Sequence, residues 1–123
     1  MGKNKKIRWR AEPEPHNYPA AESYLSLIYD APSARRLVQQ LRRARVSTFK
    51  SKDIFRASGL SLLGVSNSHL QRDREKIREG EKLSPLLLVR HPALGKMIVA
   101  DGYHRLCAVY SFDEDAEIPC KIV

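Results

Sequence analysis

Apolar and turn-forming residues alternate in the last third of the chain and predict a closely spaced set of strands. Residues 84–90 form an apolar run typical of a buried strand, and residues 91–95 end in glycine and predict a hairpin turn. Residues 96–100 form the return strand, a helix follows Gly102, and residues 118–123 predict a closing strand. This part of the chain therefore predicts a small sheet built around one hairpin.

Helical spacing of apolar residues dominates the earlier part of the chain. One helix is predicted from Pro19 to about Tyr29, and a second from Ser33 to about Ala44. Shorter elements follow: a strand at residues 46–49, a helical segment at residues 52–57, and then a longer helix at residues 68–79. The residues expected to face inward on the first two helices are Tyr24, Leu25, Ile28, Tyr29, Leu37, Val38 and Leu41.

These elements together indicate an α+β fold in three segments. Residues 1–18 form a basic, proline-containing arm that is expected to be loose over residues 1–10 and extended beyond them, and residues 19–45 form a helical extension. Residues 46–123 form the domain that carries the predicted sheet. A chain of 123 residues has the length of a single domain.

Positive charge is concentrated in the first half of the chain. The formal net charge is +8, and the whole excess lies in the first sixty residues. The charged residues of the helix at residues 68–79, including Arg72 and Lys76, are of mixed sign and are expected to face water. An excess of positive charge indicates either a nucleic-acid partner or a solvated surface. The nucleic-acid candidates lie on the outer face of the second helix: Arg35, Arg36, Arg42 and Arg43.

Membrane and metal sites are not expected from the composition. No apolar run is long enough to span a membrane, and the basic N-terminus lacks the apolar region of a signal peptide, which favours a cytoplasmic location. Cys107 and Cys120 are expected to be reduced and packed as small apolar residues. His104 with these two cysteines lacks a fourth zinc ligand at suitable spacing, so no structural metal is expected.

The segment with the clearest chemistry is Asp101–Arg105, with the sequence DGYHR, at the predicted junction between a strand and a helix. A helix N-terminus attracts anions because its first N–H groups lack intrahelical partners, and a glycine there allows close backbone approach. Gly102, His104 and Arg105 are therefore candidates for binding a phosphate. Asp101 is either a general base or a local helix cap, and Tyr103 either stacks on a base or packs in the core.

The order of elements and three sequence motifs resemble the ParB-like and sulfiredoxin-like superfamily over residues 46–123. The motifs are the strand at residues 84–89, the Gly-x-His-Arg box that begins at Gly102, and the closing strand at residues 118–123. The resemblance implies a small mixed sheet with packed helices and a nucleotide-binding box. Carried over by position, it makes Gly102, Tyr103, His104 and Arg105 the nucleotide- or phosphate-binding residues.

The sequence also departs from the superfamily in ways that limit the expected chemistry. Tyr103 stands where sulfiredoxins have their catalytic cysteine, so sulfiredoxin activity is not expected. The chain does not continue into the helix-turn-helix of partitioning proteins, so operator reading is not expected. The DGYHR form is most similar to the free serine kinase branch, which implies a catalytic acidic residue at Asp101 and a nucleoside triphosphate with Mg²⁺. That branch also has a second upstream acidic residue, which the sequence does not place.

Three functional hypotheses follow. The first is a protein that binds a nucleotide or another phosphate at the box and that, if it is an enzyme, is a nucleotide-dependent phosphotransferase or nucleoside triphosphate hydrolase. The second is a nucleic-acid-binding module that uses the basic first half. The third is a regulatory or partner-binding protein without catalysis, and a homodimer is among the expected assemblies.

Overall fold

The computed structural model describes residues 6–61 and 68–123 and has an α+β fold. That part of the chain contains five α-helices, a two-stranded sheet and a four-stranded sheet. The elements are β1 (Arg8–Trp9), α1 (Asn17–Leu25), α2 (Ala31–Arg43), β2 (Ser47–Lys50), α3 (Ser51–Ser58), α4 (Ser68–Arg78), β3 (Lys82–Leu83), β4 (Leu86–His91), β5 (Lys96–Asp101), α5 (Tyr103–Phe112) and β6 (Glu117–Ile122). The described helices include none long and apolar enough to cross a membrane.

The larger sheet is mixed and has the strand order β2-β6-β4-β5. The predicted hairpin is confirmed, because β4 and β5 pair antiparallel around a short turn at Pro92–Leu94. The closing strand β6 lies parallel to β4 and antiparallel to β2. Leu88 on the central strand is thereby opposite Val99 on one side and Ile122 on the other.

Both faces of the central strand are buried over residues 86–89, which explains why this part of its sequence is continuously apolar instead of alternating. Leu86 and Leu88 belong to a core with residues of α3, α4 and α5. Leu87 and Val89 belong to a second core with residues of α1 and α2. The helices of the predicted extension at residues 19–45 are therefore part of the protein core, with α1 packed beside β5.

Helix α1 differs from its prediction in position and in its inner face. It begins at Asn17 and ends at Leu25, and the chain continues through a turn in which Tyr29 N–H donates to the Leu25 carbonyl. Tyr24 and Ile28 are 43% and 44% exposed, so their predicted inward orientation is wrong. The helix buries a different stripe, with Tyr18, Ala21 and Leu25 against the sheet. This stripe has the i, i+3, i+7 spacing of one helix face.

Helix α2 lies close to its predicted position. Its cap is Asp30, whose carboxylate accepts a hydrogen bond of 2.8 Å from Ser33 N–H. Val38 and Leu41 are buried as predicted, and Ala34 joins them.

The N-terminal arm is not loose from Arg8 onward, which corrects the prediction for residues 8–10. Strand β1 pairs in parallel with β3, and Arg10 N–H donates to the Leu83 carbonyl at 2.8 Å. Ser84 then joins the two segments, because its hydroxyl accepts from Glu14 N–H at 3.0 Å and donates to the buried side chain of Asn17. These hydrogen bonds place residues 14–17 beside the start of β4.

Candidate functional site

The chain turns from β5 into α5 at Gly102, and only glycine suits this position. Its φ is +109°, in the left-handed region that side chains disfavour. A Cβ atom here would also overlap the side chain of Leu86 and lie 2.8 Å from Arg105 Nη2. The N-cap of α5 therefore has no side chain to cover the first N–H groups of the helix. The sequence-predicted junction of strand, glycine and helix is confirmed.

The start of α5 opens into a polar cleft of about 310 Å³. Side chains from three parts of the chain meet there: one residue at the cap of α1, four on α4, and the DGYHR segment. Ten residues line this polar cleft: His16, His69, Arg72, Asp73, Lys76, Asp101, Gly102, Tyr103, His104 and Arg105. Three of them are permanent cations and two are carboxylates, so the cleft favours an anionic ligand.

Arg105 is held at the cleft by Asp101. Its Nη2 donates to Asp101 Oδ2 at 2.9 Å, and both side chains are largely buried, with 16% and 17% exposure. The same Nη2 lies 3.4 Å from the Pro85 carbonyl, and the buried Nε of Arg105 has no hydrogen-bond partner among residues 6–61 and 68–123. Asp101 thus positions Arg105, a contact that neither of its two predicted roles included.

His104 lies against a second histidine. The centroids of the His104 and His69 rings are 4.9 Å apart, and α5 packs against α4 at this point. Burial lowers the pKa of His104, and His69 and Arg105 lower it further, while Asp73 acts in the opposite direction. The uncharged imidazole is therefore favoured near neutral pH in the absence of an anion.

Asp73 is a second acidic residue of the polar cleft, and the sequence analysis did not name it. It is half-buried on α4, and burial raises its pKa although the charges of Arg105, Lys76, His104 and Arg72 favour the carboxylate. It lines the same cleft as Asp101. The cleft therefore contains two carboxylates, Asp101 engaged with Arg105 and Asp73 half-buried on α4.

Sequence reasoning missed the contribution of α4. Arg72 and Lys76 were expected to face only water, but both line the polar cleft, and His69 and Asp73 join them. These four positions have i, i+3, i+4 and i+7 spacing, which places them on one helix face. The spacing of these four residues is visible in the sequence, but the sequence does not show that α4 packs against α5. His16 was also missed, because its segment was predicted to be extended, whereas His16 caps α1 beside the polar cleft.

A second cleft, the apolar cleft, also reaches Gly102 and has a volume of about 480 Å³. Its wall includes Tyr24, Leu60 and Val99, and it shares residues 101–104 with the polar cleft. Tyr103 lines both clefts, is partly packed against the core, and donates a hydrogen bond from its hydroxyl to the Ser61 carbonyl. A ligand bound at Gly102 thus has a charged pocket on one side and an apolar pocket on the other.

The arginines predicted to bind nucleic acid lie elsewhere. Arg35, Arg36, Arg42 and Arg43 are all exposed on α2, and none lines the two clefts at Gly102. Arg42 stacks over the ring of Tyr18, with 4.4 Å between its Cζ and the ring centroid. The structure therefore separates the basic face of α2 from the DGYHR site.

The two cysteines are buried in the core beside α5 and β6, as predicted for small apolar residues. Burial raises the pKa of Cys120 to about 11. In residues 6–61 and 68–123, no group of three or more histidine, cysteine or acidic side chains is placed to hold a metal ion.

Gly102 lies where a cation-lined cleft and a mainly apolar cleft meet. An uncapped helix start, three permanent cations and a histidine pair surround the polar cleft, and the apolar cleft adjoins it. Comparisons of the chain with protein-family models, with curated proteins and with solved structures found no match.

Proposed function

We propose that this protein binds a nucleotide, or another small phosphate-bearing molecule, with its phosphate at the start of α5. The observation that carries the proposal is the convergence of Arg72, Lys76 and Arg105 on an uncapped helix N-terminus that begins with Gly102. Backbone N–H groups and the helix dipole favour a phosphate there, and the side-chain cations add charge-assisted hydrogen bonds. Arg72 and Lys76 carry much of this contact, because Arg105 already donates to Asp101.

The apolar cleft accounts for the organic part of the ligand. Tyr24 and Tyr103 present aromatic side chains in this cleft, and Leu60 and Val99 add apolar surface. A nucleobase has a flat apolar face that packs on such side chains. The shared wall at residues 101–104 lets one molecule reach both clefts. A nucleotide ligand also agrees with the cytoplasmic location proposed from the sequence.

We also propose, as part of this function, that the chain is a member of the ParB-like and sulfiredoxin-like superfamily. The features that agree are the β4–β5 hairpin, the glycine at the start of α5, and the final strand β6 parallel to β4. The superfamily binds nucleotide phosphates at the equivalent box, which agrees with the polar cleft.

Binding of a magnesium nucleotide fits the carboxylates in the cleft. Mg²⁺ is commonly held by one or two carboxylates together with the phosphates, and Asp73 is the carboxylate of the cleft that would hold it, since Asp101 accepts from Arg105. The ion would neutralise phosphate charge during phosphoryl transfer. We extend the proposal to a nucleotide-dependent phosphotransferase or hydrolase with Asp101 as base. Product formation from ATP should require Mg²⁺ and be lost in Asp101→Asn; turnover unchanged by that substitution would exclude the role of Asp101.

Calorimetric titration with ATP, with and without Mg²⁺, tests the binding proposal. Arg72→Gln should weaken binding about tenfold, because it removes one charge-assisted contact. Arg78→Gln is the matched control, since Arg78 is exposed on the same helix and does not line the polar cleft. The same affinity in both variants, or no binding of ATP by the unchanged protein, would contradict the proposal.

Nucleic-acid binding is the second candidate, and it rests on a different surface. Val38 and Leu41 face the core, so α2 presents its arginines outward in a single exposed band. Such a band can follow a phosphate backbone.

A partner-binding or homodimeric role, the third hypothesis, is supported by exposed apolar side chains at Tyr24, Ile28 and Leu94. They line another cleft of about 200 Å³ beside β5. Sedimentation velocity over a wide concentration range tests self-association directly.

A further inference from the structure

A separate cleft of about 230 Å³ lies beside α3 and does not include any residue of the DGYHR segment. Strands β4, β5 and β6 contribute Leu88, Met97 and Ile122 to this α3 cleft, and helix α3 contributes Ile54 and Ala57. The lining is predominantly apolar. Its volume lies below the range of about 300–1,000 Å³ typical of drug-sized ligands, which limits the occupant to a smaller molecule.

One cation stands at the α3 cleft. Arg90 follows Leu88 by two residues on β4, so both side chains lie on the same face of the sheet. The Arg90 side chain is exposed and forms no ion pair with another residue of the described chain. An arginine beside an apolar surface suits a ligand that combines a planar anion with a hydrocarbon group.

The acidic residue at the same cleft restricts the charge of the ligand. Asp53 lines it, and its carboxylate is 3.6 Å from Arg56 Nη1 in an exposed ion pair. A carboxylate close by disfavours a dianion such as a phosphate, while Arg90 disfavours a cation. These charges therefore make a dianion and a cation both less favourable than a ligand with a single negative charge beside Arg90, in contrast to the cation-rich polar cleft at Gly102.

We propose that the α3 cleft binds a small apolar monocarboxylate. The carboxylate pairs with the guanidinium of Arg90, and the hydrocarbon group packs on the partly exposed Met97 and Ile122 beside the half-exposed ring of Phe49. This site is independent of the phosphate site, because the two share no lining residue.

Amide NMR of the full chain, titrated with phenylacetate, tests the proposal. Shifts should map to α3 and to residues 88–90 and 97, with a dissociation constant on the order of 1 mM for a ligand of about ten heavy atoms. The neutral isostere phenylacetamide should bind about tenfold more weakly. Arg90→Gln should produce the same loss for phenylacetate, whereas Arg78→Gln, at an exposed arginine on α4 that does not line the α3 cleft, should bind as the unchanged protein does.

A second variant separates binding from folding. Ala57→Leu fills the α3 cleft from the rim and should abolish the phenylacetate shifts while leaving the spectrum of the rest of the protein intact. Equal binding of acid and amide, absence of saturable shifts, or shifts confined to α5 would each overturn the proposal. A different outcome is that the amide signals of the α3 cleft shift with protein concentration alone and that phenylacetate reverses this shift. That result would identify a second copy of the chain as the occupant and would also overturn the proposal.

Discussion

Gly102 is the residue on which the geometry of the candidate site depends most. Its positive φ and its contact with Leu86 leave no room for a side chain. We predict that Gly102→Ala lowers the free energy of unfolding by about 3 kcal/mol, because backbone strain and overpacking add. Gly95→Ala is the control: it has φ +63° with open space among the described residues, and it should cost about 1 kcal/mol. Urea unfolding measures both, and similar costs for the two variants would contradict the packing argument.

His104 gives the site a predicted pH dependence. Burial, His69 and Arg105 lower its pKa in the absence of a ligand, and Asp73 only partly offsets them. A bound anion beside the imidazole raises that pKa, so binding takes up a proton and strengthens as pH falls. The other titratable groups that line the cleft are His16, His69 and Asp73, together with the cations Arg72, Lys76 and Arg105 and the carboxylate of Asp101.

Sulfate is the suitable probe for this linkage, because its charge is constant over the range from about pH 6 to pH 8 in which histidines titrate. Affinity for sulfate should be several-fold higher at the lower pH, and His104→Asn should flatten the profile. If the affinity of His104→Asn for sulfate depends on pH as steeply as that of the unchanged protein, the proton taken up on binding belongs to another group. In the absence of ligand, pH affects folding in the opposite direction. Because the pKa of His104 is lower in the folded protein than in the unfolded chain, the free energy of unfolding decreases as pH falls below the ordinary histidine pKa.

Among the elements, the last third of the chain was predictable because its signals are local. A continuous apolar run, a glycine-ended turn and a glycine before the helix each dictate one element, and β4, β5 and α5 appear where the pattern indicates. The pairing of β1 with β3 was not predictable. It involves two residues on each strand, and its stabilisation comes from backbone hydrogen bonds across more than seventy positions of sequence.

The candidate site was predictable only on its α5 side. Gly102 follows from the helix start, and Asp101 and Arg105 have the i, i+4 spacing at which ion pairs form. The α4 side required knowledge of which helix packs against α5. The stripe of His69, Arg72, Asp73 and Lys76 looks like the solvated face of a charged helix until α4 and α5 are placed side by side.

Lys121 on β6 contacts residues of α1 and α2 and so connects three elements. It is only 3% exposed on β6, and its Nζ donates to the Arg42 carbonyl at 3.0 Å and lies 3.1 Å from Glu12. Burial opposes the charged form, but hydrogen bonds with Tyr18 and Glu12 outweigh it and raise the pKa of Lys121. Its stabilising contribution is therefore present at neutral pH and is lost only as alkaline pH passes through this raised pKa.

Lys121→Ala should lower the free energy of unfolding by about 2 kcal/mol, since it leaves the Arg42 carbonyl without its donor. Glu12→Ala removes only an exposed partner and should cost less than about 1 kcal/mol. Urea unfolding distinguishes the two. A stability of Lys121→Ala within error of the unchanged protein would show that Lys121 does not join α2 and β6.

At the scale of the whole molecule, the basic face of α2 and the DGYHR site are separate surfaces, so their binding can be tested independently. If α2 binds nucleic acid, affinity for a DNA duplex should fall steeply as the salt concentration rises. Binding releases cations that are condensed on the DNA, and added salt opposes that release. Replacing Arg35, Arg36, Arg42 and Arg43 together by glutamine should reduce that salt slope and leave ATP binding unchanged. Fluorescence anisotropy in a salt series measures the effect. DNA affinity that is unaffected by the four substitutions would exclude this face.

The most direct test of the central claim is the location of a bound nucleotide on the protein. Amide NMR with ATP and Mg²⁺ should show its largest shifts at Gly102, Tyr103 and His104, with a second group at Arg72 and Lys76 across the polar cleft. The same titration of Arg72→Gln should show the same map at higher ligand concentration. Shifts confined to α2 or to the α3 cleft, or no saturable shifts near Gly102, would contradict an anion site at the start of α5.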